Sequence, residues 1–341
     1  MSPTTEARPR PATAAPAGRR LELARYRDLS LVPVLLVLCV IGFAVSPAFL
    51  TSANLLGVGQ SATELSVLVL AEALILIAGR MDLSLESTIG VAPVIAVWLV
   101  LPDHGARFNG LGLFPAWTVI PLCLAVGAAI GAVNGFLILK LRLNGFIVTL
   151  GALTLLRGLQ IGISQGQSII NLPSSFTYLG SASWFGVPAA IWICALLFAA
   201  GGCALAWLRH GRALYAIGGN AEAARAAGIR VDRITWTVLI LGSLLAAFAG
   251  ILYTGHYGSI SADQGNGWIF QVFAATVIGG VSLNGGRGTL FGALTGVLTL
   301  QLVLNVMTLA GVPPLWNQCL NGAIIIVALI ISRFASGEKQ E

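Results

Sequence analysis

Four acidic side chains lie where the sequence is otherwise apolar: Glu64 and Glu72 in the stretch 62–79, and Asp82 and Glu86 around the start of the stretch 84–101. The members of each pair are eight or four residues apart, which places them on one helical face. A charge near a bilayer centre costs ~2.5–3.5 kcal/mol, so such residues face a bundle interior or an aqueous path. The chemistry they could support is a polar translocation pathway or a proton relay. Glu72 reads as interior-facing. Asp82, beside Arg80 and backed by Ser84, reads as the group that starts a helix, favoured by the helix dipole. Asn134, Thr149 and Asn305 join Glu64, Glu72, Asp82, Ser84 and Glu86 as pathway candidates.

Catalysis finds no support. Gly162-Ile-Ser-Gln-Gly166 has the spacing of a nucleophile elbow but closes an apolar helix, whereas that motif needs a strand-to-helix turn. Cys39, Cys123, Cys194, Cys203 and Cys319 show no metal-binding spacing and read as buried thiols, so no metal site is expected. The only lysines are Lys140 and Lys339, and neither follows a phosphate-loop pattern. This polypeptide cannot hydrolyse ATP; any ATP and Mg must sit on a separate subunit.

The elements that position these residues are membrane helices. Hydrophobic residues make up 57% of the 341 and charged residues only 9%, far below the ~25% of soluble domains. Uncharged runs such as 31–45 and 189–208 point to bilayer spans. Apolar segments fall at 29–46, 62–79, 84–101, 115–139, 146–164, 187–208, 234–255, 268–283, 288–311 and 316–332, an all-α bundle of about ten spans. With the N-terminus inside, every basic residue except Arg107 and Arg157 falls on the cytoplasmic side, which places both termini in the cytoplasm. The same bias explains the net charge of +6 without nucleic acid, which needs aromatics interleaved with the basic residues. Residues 1–28 read as a disordered tail before an uncleaved first span, 29–333 as the membrane domain, and 334–341 as a cytoplasmic tail. Gly127, Gly131 and Gly135, and again Gly288, Gly292 and Gly296, recur at four-residue spacing, a face for close helix packing. The two runs suit an inverted repeat of segments two to five and seven to ten.

The largest cytoplasmic loop is 209–233. Within it Asn220 is a good N-cap, Glu222 falls in a first turn, and Gly228 suits a helix stop. So short a helix needs support, from the membrane surface or from a groove in a cytoplasmic partner.

The loop Gly211-Arg212-Ala-Leu-Tyr215-Ala216-Ile217-Gly218-Gly219-Asn220, with Ala223-Ala224-Arg225 and Gly228-Ile229, resembles that of ribose-type sugar ABC permeases. Asp82-Leu-Ser84, Asn134-Gly135, Phe146-Ile-Val-Thr149-Leu150-Gly151 and Ile278-Gly279-Gly280-Val-Ser282-Leu-Asn-Gly285-Gly286-Arg287-Gly288 agree in order. The resemblance spans roughly 50–332. It implies a multi-pass permease of the bacterial inner membrane that pairs with a second permease copy or paralogue. Its further partners are cytoplasmic ABC ATPase subunits and a periplasmic or lipid-anchored solute-binding protein. Gly219, Asn220, Glu222, Ala223, Ala224, Arg225 and Gly228 would form the ATPase-coupling element. Three places depart from the family pattern. Arg80-Met81 replaces Gly-Ile, Glu86 replaces a common Gly, and Gly267–Phe273 lacks the acidic residues of relatives. An ion-coupled transporter, or a permease for an amino acid, nucleoside, polyol or autoinducer, remains the alternative.

Overall fold

The computed structural model describes residues 31–102 and 108–316, with positions 319, 322, 323 and 326. The expected tails 1–28 and 334–341 fall outside the described residues, as does most of the expected tenth span. The helices are α1 (Val32–Val45), α2 (Ser52–Ile77), α3 (Leu85–Val100), α4 (Val119–Gly135), α5 (Gly145–Ser164) and α6 (Ser174–Ser181). They continue as α7 (Ala189–Trp207), α8 (Arg209–Gly219), α9 (Ala221–Ala226), α10 (Val231–Tyr257), α11 (Trp268–Ile278) and α12 (Leu290–Leu309). A small hairpin of β1 (Ser183–Trp184) and β2 (Val187–Pro188) precedes α7, pairing Ser183 with Pro188 and Trp184 with Val187.

Six of these are long and apolar enough to cross a membrane: α2, α4 with its flanking turns, α5, α7, α10 and α12. α1, α3 and α11 are apolar but shorter. At 1.5 Å per residue, α3 and α11 extend only about 24 and 17 Å, against about 30 Å of hydrocarbon. Each follows a much longer helix, α2 or α10, through an irregular segment: 78–84 before α3 and 258–267 before α11.

α2 is the centre of the bundle. It is apolar all round, and every residue from Ala62 to Ile77 is buried, as such a helix requires when protein surrounds it. It packs against α10, α12, α11 and α7. α5 and α7 are equally apolar but present Ile147, Leu155, Leu196 and Trp207 outward. In water that surface would be a liability; in lipid it is the expected exterior.

Glycines set the closest approaches. A Cβ on Gly131 would stand 2.5 Å from the Leu239 carbonyl oxygen, and one on Gly127 would stand 2.5 Å from the Ala247 Cβ, so α4 lies directly on α10. Gly135 makes room for the Trp236 ring, whose Nε1 donates to the Ala132 carbonyl at 3.1 Å. Gly292 and Gly296 press instead on Gly279, just past the end of α11, and on Ala275 within it. Gly288 departs from the expected helical face. It precedes α12 with φ of 130° and backs onto Val281, a turn position open to glycine for conformational reasons. Exchanging segments two to five with seven to ten maps the α4–α10 contact onto α12–α2, which also exists. The two glycine runs do not correspond under that exchange, because one faces α10 and the other faces α11.

Gly131→Val should destabilise the bundle by about 1–3 kcal/mol through overpacking. Gly151→Val, at an exposed helical glycine with nothing within 4 Å of its would-be Cβ, should leave stability nearly unchanged. Thermal unfolding of the two purified variants in detergent checks the contrast.

Candidate functional site

The acidic residues do not form one stripe. They part into three buried ties, each built where an irregular segment or a helix end meets α2 or α3. In the first, the turn 78–84 brings Asp82 beneath α2. Asp82 Oδ1 accepts from the Ser84 N–H at 2.9 Å and from the Ser84 hydroxyl at 2.6 Å. Asn134 of α4 donates to Ser84 Oγ at 2.8 Å and to Asp82 Oδ2 at 3.4 Å. The Asp82 N–H reaches Glu72 Oε1 at 3.5 Å, while Glu72 Oε2 is buried with no partner among the described residues. Asp82 therefore holds the turn before α3. It stands at the entry to α3 and bonds Ser84, which flanks the helix in helical conformation and makes no side-chain cap of its own.

Glu86 turns away from Asp82 and forms the second tie. Its Oε1 lies 3.1 Å from Arg157 Nη2 of α5, and both side chains are largely buried. Its Oε2 accepts from the Ile269 N–H at 3.1 Å, in the first turn of α11. Arg157 Nη1 donates to the Gln264 carbonyl at 2.7 Å and to Gln160 Oε1 at 3.1 Å. Gln264 in turn donates to the Ile89 carbonyl at 2.8 Å. The pair so fastens α3, α5 and the segment before α11. Glu86 thus stands against the start of α11, whose own first turn holds no acidic residue. A carboxylate at an α11 N–H supplies from a neighbouring helix what the helix's own first turn does not.

The third tie joins Glu64, mid-way along α2, to His256 at the end of α10, with Oε1 and Nδ1 2.7 Å apart. Two other pathway candidates stand apart from all three. Thr149 turns its hydroxyl back to the Gly145 carbonyl at 2.9 Å. Asn305 exchanges amide hydrogen bonds of 2.9 and 3.0 Å with Asn54 at the start of α2. Arg157 was visible as the only basic residue inside a span, although its partner was not; Gln160, Gln264 and His256 carried no distinguishing signal.

The loop 209–233 is more ordered than a loop. α8, unexpected from the sequence, leads directly into α9. The Asn220 side chain caps α9 by accepting from the Glu222 and Ala223 N–H groups at 3.0 and 2.9 Å. Gly228 ends the unit with φ of 83°. The support so short a helix needs comes from within the chain: Ala224 packs with Ile217 and Val231 in a small separate core. Gly219, Asn220, Glu222, Ala223 and Arg225 are left exposed. Arg225 pairs with Asp232 at 2.9 Å.

Behind α9 three backbones meet. Built Cβ atoms on Gly79 and Gly285 would fall 3.3 Å from Gly218 Cα and 2.6 Å from Gly79 Cα. The Gly286 N–H donates to the Ile77 carbonyl at 3.0 Å, and the Tyr215 hydroxyl donates to the Gly288 carbonyl at 2.8 Å. The α8–α9 unit thus touches both the turn that leads to Asp82 and the turn 279–289 that leads to α12. Among the described residues no group of three or more His, Cys, Asp or Glu could hold a metal.

Apolar helices with buried polar ties define a polytopic helical membrane protein. The family described as branched-chain amino acid transport system / permease component matches residues 54–329. The chain belongs to this family, and within it to the ribose-type permeases of ABC importers. It is 33% identical over 301 residues to the ribose import permease protein of Escherichia coli K12, covering 87% of this chain and 91% of that one. It is 34% identical over 309 residues to the autoinducer 2 import system permease protein of Klebsiella pneumoniae, at 91% and 87% coverage. With the L-arabinose transport system permease protein of Escherichia coli K12 it shares 33% over 320 residues, at 93% and 92%. No solved structure matches the chain.

Removing one partner of a buried ion pair typically costs about 3–5 kcal/mol, because the other charge is left uncompensated. Glu86→Ala should lower stability by that order, and Glu86→Ala/Arg157→Ala by less than the sum of the single losses. A double-mutant cycle on thermal unfolding measures the coupling.

Proposed function

We propose that this chain is the membrane subunit of an importer that moves a monosaccharide, or a similar small polyhydroxylated solute, inward across the bacterial inner membrane by alternating access. Ten spans with both termini in the cytoplasm suit this role. Two permeases, identical or paralogous, would pair through the outward apolar surface. Two ABC ATPase subunits in the cytoplasm would carry the ATP and Mg, and a solute-binding protein on the other side would deliver the cargo. The names of the relatives support a sugar, since two of those quoted import ribose or L-arabinose.

The observation that carries the proposal is the placement of α9. Its inner face is anchored by Ala224, and its outer face offers small and charged side chains to a partner. A groove closing on Glu222, Ala223 and Arg225 would push on α8. Through Gly218 the push would reach Gly79 and Gly285 without compressible side chains between the backbones. From Gly79 the chain runs directly to the Asp82–Ser84–Asn134 tie, so movement of α9 would be felt at the start of α3. Short, stiff contacts of this kind transmit displacement because packed elements shift as units.

Asn220→Ala should cost about 1 kcal/mol of cap energy and fray α9. Glu222→Lys should leave the fold intact and act only at the outer face. Both are expected to reduce co-purification of the ATPase and sugar uptake together. Normal assembly and transport in both variants, scored by pull-down and radiolabelled uptake, would exclude α9 as the coupling element.

A further inference from the structure

Beside the Glu64–His256 pair lies a cluster of rings that the coupling scheme does not use. Tyr253 and Tyr257 of α10 have centroids 4.5 Å apart, His256 lies 4.5 Å from Tyr257, and Trp268 meets Tyr253 edge-on at 5.3 Å. The Tyr253 and Tyr257 hydroxyls and Trp268 Nε1 make no hydrogen bond among the described residues. Glu64 uses one carboxylate oxygen for His256. Tyr253, His256 and Trp268 are partly exposed, and Tyr257 is 55% exposed. Glu64 stands mid-way along the 26-residue α2, about 18 Å along the helix from its start. Unpaired donors at that depth would be costly against lipid, so their open side faces water or a polar ligand.

Resting on the importer assignment above, we propose that this wall binds the cargo on its way inward. It would take a neutral polyhydroxylated ring of pentose size, with sugar C–H faces against Tyr253 and Trp268 and hydroxyls on His256 and Tyr257, while the buried Glu64 holds His256 from behind. The chemistry favours a neutral ligand. An anion would meet Glu64 and the exposed Asp263, and the rings touch one another too closely to surround a quaternary cation. A largely apolar wall with a few converging polar groups is the usual make-up of a small-molecule site. Trp268 opens α11 next to Ile269, whose N–H is held by Glu86. A sugar seated on Trp268 would therefore bear on the tie that fastens α3 to α11.

The test uses proteoliposomes holding the full chain with its partner ATPase and binding protein, supplied with labelled D-ribose or L-arabinose. Trp268→Leu and Tyr253→Phe/Tyr257→Phe should each cut sugar moved per ATP hydrolysed by about fivefold or more. ATP hydrolysis should stay within about twofold of wild type, and Trp268→Phe should retain most of the transport because it keeps an aromatic face. An unchanged ratio in both variants overturns the subsite alone. So does an equal loss of hydrolysis and uptake in both, which would mark the rings as structural, or competition by choline in place of sugar. Wild-type vesicles that move neither pentose on ATP would overturn the importer assignment itself.

Discussion

Where lipid is the solvent, a peptide group off the helix must find its hydrogen bond inside the protein. That constraint governs this molecule, because the helical parts of α3 and α11 are shorter than the hydrocarbon core and are preceded by irregular chain at 78–84 and 258–267. Two of the three buried ties lie where those two segments are satisfied. Asp82 and Ser84 close the first. Arg157, Gln160 and the Gln264 amide secure the second. Asp82 and Glu86, anomalous in an apolar chain, accept from backbone N–H groups at the entries to α3 and α11.

The constraint also explains the central position of α2. A helix apolar on all faces with two carboxylates cannot face lipid on every side, and full burial from Ala62 to Ile77 places both acids against protein. Close approach then depends on residues without side chains. Gly127 and Gly131 bring α4 onto the backbone of α10, and Gly292 and Gly296 bring α12 onto α11. Lipid provides little drive for helices to associate, so backbone proximity and dispersion take over that task. The same device recurs beside the α8–α9 unit, where Gly79, Gly218 and Gly285 allow two turns and the end of α8 to meet with nothing yielding between them.

Glu86 shows how the role of one acidic residue can be read only in three dimensions. In the fold its Oε2 sits on the Ile269 N–H, and Arg157 balances the charge that burial would otherwise penalise. One carboxylate from α3 so serves the N-terminus of α11, which carries no acidic residue of its own.

Membrane class, the positions of the apolar segments as far as α12, the absence of a phosphate loop, the Asn220-capped helix and its Gly228 stop were all legible along the chain. Each rests on composition or on contacts within a few residues, and local rules of that kind hold whatever the fold. The partners of the acidic residues were not legible. Periodicity put Glu64 with Glu72 and Asp82 with Glu86, whereas the fold sends Glu64 to His256 and Glu86 to Arg157, across 192 and 71 residues. Nor could spacing tell that Gly288 serves a turn while Gly292 and Gly296 serve a helix face, or that Thr149 and Asn305 bond away from the acids. Those outcomes depend on which helices become neighbours and at what height. Packing of the whole bundle decides that, because a membrane helix can rotate and slide until its polar groups are paired.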